Sequence, residues 1–229
     1  MENLILIGTG INASKALEFV NKYNLFNVIG FAVNQQYYKE KSFCGLPVYK
    51  LETIKEEVKV PFKVFVAVLW NRLNKDRRIL FEYCNSNGFD FVNLISPSAI
   101  VYESAKLGFN CWIDDQSCIQ TNCTIGNNVF IRAQAVIGSN TTINDHVFIG
   151  IHSTIGGGSN IGVQSFIGLN ALILDSVSVG EKCIIGAGTV IKRNLPDYSK
   201  CMVDSENYII KQYPHHMIEE KLLFSKNVR

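Results

Sequence analysis

Hydrophobic and polar positions follow two different rhythms in this chain, changing over near residue 97. Before that point, short apolar runs alternate with amphipathic stretches. "NLILIG", "VIGFAV" and "FKVFVAV" read as buried strands, and "FVNLI" as a last strand. "TGINASKALEFVNKY", "LETIKEE" and "RLNKDRRILFEYCNSNG" read as a turn with a helix, a short helix and a longer helix. Strands alternating with helices predict a small parallel α/β sheet.

From Val101 the chain steps by six. Aliphatic residues stand at Val101, Leu107, Ile113, Ile119 and every sixth position up to Ile191, sixteen in succession without a slip. Four places after most of them comes a small residue such as Ala105, Cys111, Ser117, Cys123 or Ala135. A period of six fits neither the 3.6-residue turn of a helix nor the two-residue alternation of a strand. It predicts a solenoid with three short strands per coil, its aliphatic residues filling a triangular core and its small residues fitting tight corners. Successive coils would pair as parallel strands about 4.8 Å apart. The predicted organisation is an α/β domain over 1–97, a solenoid over 98–200 and a tail with a short helix over 201–229, with "SPS" at 96–98 as the junction.

The hexad period resembles the left-handed parallel β-helix of hexapeptide acyltransferases. The hand is implied by the resemblance, not by the period. A small α/β domain followed by an uninterrupted solenoid is similar to the sugar acyltransferases of the sialic-acid O-acetyltransferase type, which include enzymes that N-acetylate UDP-linked 4-amino-6-deoxy sugars. The resemblance reaches to about residue 200. It implies a Rossmann-like domain binding a nucleotide-linked sugar, and acetyl-CoA or another acyl-CoA lying between two solenoids. It further implies a cytoplasmic homotrimer that uses no metal.

Carried onto this chain residue by residue, the resemblance places substrate-binding positions at Gly8, Thr9, Gly10, Ile11, Asn12, Asn34 and Asn71. The "GTG" turn is an incomplete dinucleotide fingerprint, since Ala13 stands where a third glycine would be and no acidic residue ends the second strand. It predicts a tight turn and helix N-terminus facing a phosphate or sugar, not a full NAD site. Asn12 replaces the family's histidine, Val33 and Asn34 replace its aspartates, and Leu69-Trp70-Asn71 keeps only the asparagine of another turn. Uracil is therefore not assumed as the base. CoA-binding positions fall on Gly157, Leu169 and Ala187, and "DSEN" at 204–207 replaces a loop that helps hold CoA in relatives.

The family's catalytic histidine falls on Ser139, its acidic neighbour on Asn140, and a second histidine on Phe148. His146 and His152 lie three places after hexad aliphatics, at corners where side chains are expected to point outward. His146, two residues from Phe148, is the candidate relocated base, with His152 the weaker one. Phe148 and Leu169 are expected to give the groove an apolar lining. His215 and His216 are read as structural members of a C-terminal helix.

Composition narrows the function classes. A net charge of +2 with no basic run longer than "KDRR" gives no nucleic-acid footprint. No apolar run is long enough to span a membrane, and "MENLILIGTG" lacks the basic start and long apolar core of a secretory signal. Seven cysteines without CxxC or Cys/His spacing read as reduced thiols and predict no metal.

The missing imidazoles bear on the acceptor. A sugar hydroxyl needs a positioned base, whose loss costs about 10²–10⁴-fold. An amine with a pKa near the ~7.7–8.0 of α-amino groups is already partly neutral and nucleophilic. Positioning and oxyanion stabilisation can then carry the reaction. The expectation is an acyl-CoA-dependent N-acyltransferase acting on a nucleotide-linked amino sugar for bacterial surface glycan synthesis. Two alternatives stand beside it: an O-acetyltransferase using His146, and a non-catalytic nucleotide-sugar-binding trimer.

Overall fold

A computed structural model of the chain gives the fold, described for residues 1–68 and 70–203. Leu69, the loop 204–207, and His215 and His216 with their expected helix lie outside the described residues.

The first part is an α/β domain. Its elements are β1 (Asn3–Ile7), α1 (Ile11–Tyr23), β2 (Asn27–Val33), β3 (Ser42–Phe43), β4 (Leu46–Lys50), α2 (Ile54–Glu57), β5 (Lys63–Val66) and α3 (Asn71–Ser86). The sheet order is β3-β4-β2-β1-β5, parallel except for the β3–β4 hairpin. β1 is an unbroken apolar run because both of its faces are covered. Leu4 and Leu6 pack towards α1 and the solenoid, while Ile5 and Ile7 pack towards α2 and α3. Helix α1 stops at Asn24, which takes the left-handed conformation at φ 50° and closes the helix with its N–H. In β2, Gly30 permits close approach, since a Cβ there would lie 2.7 Å from the Tyr49 ring. The hairpin is an element the sequence reading missed. Its turn, Cys44-Gly45, has φ of 49° and 78°, as a two-residue primed turn requires.

The second part is a three-sided parallel β-helix. Every hexad aliphatic from Val101 to Ile191 ends a two-residue strand, and strands 18 residues apart pair in parallel, as Phe130–Ile131 does with Phe148–Ile149. Three faces result. The first runs from Ile100–Val101 to Val190–Ile191, the second from Lys106–Leu107 to Ser178–Val179, and the third from Leu94–Ile95 to Lys200–Cys201. The aliphatic residues form one continuous core with the small corner residues.

Both ends of the solenoid differ from expectation. "FVNLI" is not a single sheet strand: Phe91 makes one bridge to Val64, and Leu94–Ile95 is already the solenoid's first strand, paired with Trp112–Ile113. The Asn93 side chain binds the chain there, donating to the Gly108 carbonyl and accepting from the Cys111 N–H. After Ile191 the step of six fails at Asp197. Leu195 bridges to Val179, and Cys201 pairs with Ile185, which shortens the final coil by two residues.

The two parts share a core. Trp112, Phe130, Phe148 and Phe166 project outward from the third face in a column, and the α/β domain covers them. Trp70 lies 4.5 Å from Phe148 between ring centroids, and Phe19 and Phe65 meet Trp112 edge-on. Phe148 is thus interdomain core, 5% exposed, which corrects its expected place in a groove lining.

Candidate active site

The carboxyl ends of β1, β2 and β5 open onto a cleft of about 490 Å³. The chain reverses its direction of travel across the sheet here, because β2 and β5 flank β1, and α/β sheets bind ligands at such points. Gly8, Thr9, Asn34 and Asn71 line this cleft. Gly8 has φ 121°, and a Cβ on it would come within 3.0 Å of Val68.

The remaining expected substrate positions do not line the cleft. Gly10 caps α1, Ile11 is 59% exposed, and Asn12 is buried with its amide donating to the Val68 carbonyl at 3.1 Å. Asn12 therefore braces the cleft wall and does not reach into it.

Four polar lining residues escaped the sequence reading: Gln36, Tyr37, Arg72 and Asp76. Arg72 pairs with Asp76, and Arg72, Leu73 and Asn74 form a left-handed turn with φ of 51°, 57° and 64°. A carboxylate also stands beside the end of β2, although no acidic residue lies there in sequence. Glu52 accepts from the Asn34 amide and the Gln35 N–H.

On the solenoid, the other candidates are divided among three edges. Ser139, Asn140 and Gly157 lie on the edge between the first and second faces. The Ser139 hydroxyl donates to Gln120 Oε1 at 3.2 Å and accepts from Thr121 Oγ1 at 3.0 Å. Asn140 is exposed, and the Gly157 N–H is held by Asp175 Oδ1 at 2.7 Å. His152, Leu169 and Ala187 are exposed on the edge between the third and first faces. Along that edge the backbone N–H groups of Ala133, Ile151, Leu169 and Ala187 have no hydrogen-bond partner among the described residues. On the other edges side-chain oxygens cap some of the equivalent N–H groups, as Asp145 does for Asn127 and Gln120 for Ser139, and leave those of Thr121, Asp145, Val163 and Asp175 without a partner among the described residues.

His146 requires a correction. It lies on the edge between the second and third faces, 7% exposed under α3, and does not point into solvent. A directed chain of donors fixes its state. The Val66 N–H donates to Asn110 Oδ1, the Asn110 amide to Asn128 Oδ1, and the Asn128 amide to His146 Nδ1. The imidazole is therefore neutral and carries its proton on Nε2. Burial drives its pKa down to about 4; Asp145 opposes this, and Arg77 and Arg78 add to it. Asn74 donates to the His146 carbonyl at 2.7 Å, and the Phe81 ring meets the imidazole at 5.7 Å.

Arg77, fully buried beside this chain, donates to the carbonyls of Val66, Asn110 and Asn128 and stacks on Phe130 at 3.8 Å. Burial brings its pKa down to about 9. Sequence reading missed it because "KDRRIL" looks like the polar side of a helix.

A three-sided hexad solenoid behind an α/β domain with a cleft at its strand ends is the architecture of the hexapeptide-repeat acetyltransferases, and the comparisons agree. Residues 95–192 match the GMPPB C-terminal domain family. No match is found among curated proteins. A histidine-to-asparagine variant of perosamine N-acetyltransferase from Caulobacter crescentus, in complex with CoA and GDP-perosamine, superposes with a TM-score of 0.78 and 27% identity, covering 89% of this chain and 94% of that one. A histidine-to-alanine variant, in complex with the same two molecules, gives the same values. The acetyltransferase domain of PglB from Neisseria gonorrhoeae FA1090, in complex with acetyl coenzyme A, shares the fold at a TM-score of 0.76 and 24% identity, covering 88% of this chain and 96% of that one.

Proposed function

We propose that the chain is an acyl-CoA-dependent N-acyltransferase, with acetyl as the acyl group and a nucleotide-linked amino sugar as acceptor. One observation carries this reading above the rest: likeness over nearly the whole chain to an N-acetyltransferase that holds CoA and an amino-sugar nucleotide with one of its histidines replaced. The α/β domain is read as a Rossmann-like nucleotide-sugar domain, and the solenoid as a left-handed β-helix. This reading includes a cytoplasmic site of reaction.

The chemistry fits the residues present. The neutral amine attacks the thioester carbonyl, the tetrahedral oxyanion collapses, CoA leaves as its thiolate, and the surplus ammonium proton passes to water. No imidazole stands at Ser139, and none is needed for an amine. Ser139, held between Thr121 and Gln120, serves as a hydrogen-bonding group and not as a base. His146 is read as a positioning residue, because its Nδ1 is occupied and its basicity is low.

The distribution of candidates over separate edges supports a homotrimer. The outward residues of the first face are Ile100, Cys118, Val136, Thr154, Leu172 and Val190, whereas those of the second are Lys106, Thr124, Thr142, Asn160 and Ser178. Turning the apolar face towards a threefold axis brings the Ser139 edge of one copy beside the Leu169–Ala187 edge of the next. The unpaired N–H column and exposed Leu169 then offer the pantetheine amides and methylenes a track, with the acceptor amine arriving from the neighbouring edge.

The test measures CoA thiol released from acetyl-CoA with nucleotide sugars bearing either an amine or only hydroxyls. Turnover confined to amine acceptors is expected. Turnover confined to hydroxyl acceptors would overturn N-acylation, and tight binding without turnover would make the chain a non-catalytic binding protein.

A further inference from the structure

Past Thr9, Val33 and Tyr37 the cleft continues into a second lobe of about 260 Å³, whose walls include Lys39, Glu40 and Ser42. The two lobes meet at Thr9, at the head of α1, where backbone N–H groups suit a diphosphate. The first lobe extends to Asn71, Arg72 and Asp76 at the start of α3. Leu73 and Asn74, in the left-handed turn between Arg72 and Asp76, touch the solenoid, since the Leu73 carbonyl accepts from Gln164 and Asn74 donates to the His146 carbonyl. A sugar that must reach the solenoid therefore occupies the first lobe. The second lobe, over the β3–β4 hairpin at the far edge of the sheet, is left for the nucleobase.

The chemistry of that lobe is selective. Glu40 and Lys39 are exposed, and neither takes part in an ion pair among the described residues. A carboxylate only accepts hydrogen bonds and an ammonium only donates. Guanine alone among the common bases presents two adjacent N–H donors, N1–H and the N2 amino group, beside a carbonyl oxygen. Uracil and thymine set one N–H between two carbonyl oxygens that a carboxylate repels. Adenine and cytosine set an amino group beside an unprotonated ring nitrogen, which repels it too. We propose that this lobe selects guanine, with Glu40 accepting from N1–H and N2–H and Lys39 donating to O6. Two parallel charge-assisted bonds give such a pair both strength and geometry, and the exposed Tyr37 ring at the threshold offers a stacking surface. The inference rests on reading the cleft as a nucleotide-sugar site.

Calorimetric titration of the full chain with GDP, IDP, UDP, dTDP and ADP tests it. GDP is expected to bind at least about tenfold tighter than the others, each tenfold step being about 1.4 kcal/mol. IDP, which lacks the N2 amino group, should lose about that factor. Glu40→Gln should erase the preference for GDP, by weakening GDP and by strengthening UDP, whose carbonyl oxygens the carboxylate repels. UDP or dTDP binding as tightly as GDP, or a Glu40→Gln variant with full GDP preference, overturns the guanine assignment and leaves the nucleotide cleft standing. If no nucleoside diphosphate binds, the reading of the cleft fails and the inference fails with it.

Discussion

The corner residues follow a rule the sequence shows only in part. The third residue after many hexad aliphatics is left-handed, including Asn122 at φ 57°, Gln134 at φ 60° and Asn140 at φ 59°. His146 at φ 63° and His152 at φ 59° occupy such corners, so backbone conformation, not chemistry, sets their spacing. The small residue that follows does more than fit. Ser153, Ser165 and Cys123 donate to carbonyls 15 residues ahead, which satisfies groups turned into the coil. Sequence could place His146 on a corner, but whether the corner faced solvent depended on α3, more than sixty residues away. Its depressed pKa has a definite sign. The unfolded chain takes up a proton near the ordinary pKa of ~6.5, and the folded protein does so only near 4. The contribution of His146 is full above that unfolded value and is lost as pH falls through the folded one, by at most about 3 kcal/mol. His146→Asn would extend the Asn110–Asn128 chain and should flatten the stability difference across that window, as read by urea midpoints. Rate offers a second readout at this scale. With no imidazole base, kcat/KM should rise with pH along the acceptor amine's own titration and show no limb near ~6.5.

Elements were legible wherever a period was. Sixteen hexads gave sixteen strands because each inward residue is fixed by its own coil and its two neighbours. Ile149→Ala, in the dry centre, should cost about 2–5 kcal/mol, whereas Thr142→Ala on the exposed second face should stay within about 0.5 kcal/mol; chemical denaturation separates them. Aperiodic features were hidden. The hairpin turns on Cys-Gly and not the commoner Asn-Gly, and the α3 contact includes a fully buried arginine that sequence marks as a surface residue. Arg77→Ala would leave the carbonyls of Val66, Asn110 and Asn128 buried without their donor. It should destabilise by about 3–5 kcal/mol, and proteolysis should report α3 coming loose before the solenoid unfolds.

Across the whole molecule, sequence offered candidate residues but not their assembly, because those on the solenoid occupy different edges and the sequence carries no sign of which edges meet. In the trimer proposed here, Leu172→Asp should yield inactive monomers by light scattering, while Asn160→Asp on the second face should leave assembly intact. Ser139→Trp and Leu169→Glu should each abolish turnover, yet mixed trimers refolded from both should recover part of it, because some interfaces would join two unaltered edges. The docking of the two domains was also present in the sequence at a longer step, since Trp112, Phe130, Phe148 and Phe166 recur every 18 residues. That recurrence makes the third face a screw thread: an aromatic seat repeats each coil, about 4.8 Å along, while the domain resting on it has no repeat of its own. Moving one seat up or down would keep most of the ring contacts. It would break those without a counterpart on the next coil, namely Tyr23 and Lys22 on Asp115 and Arg78 on Gln164. These polar pairs act as the locking pin that holds the strand-end cleft at one height along the rod.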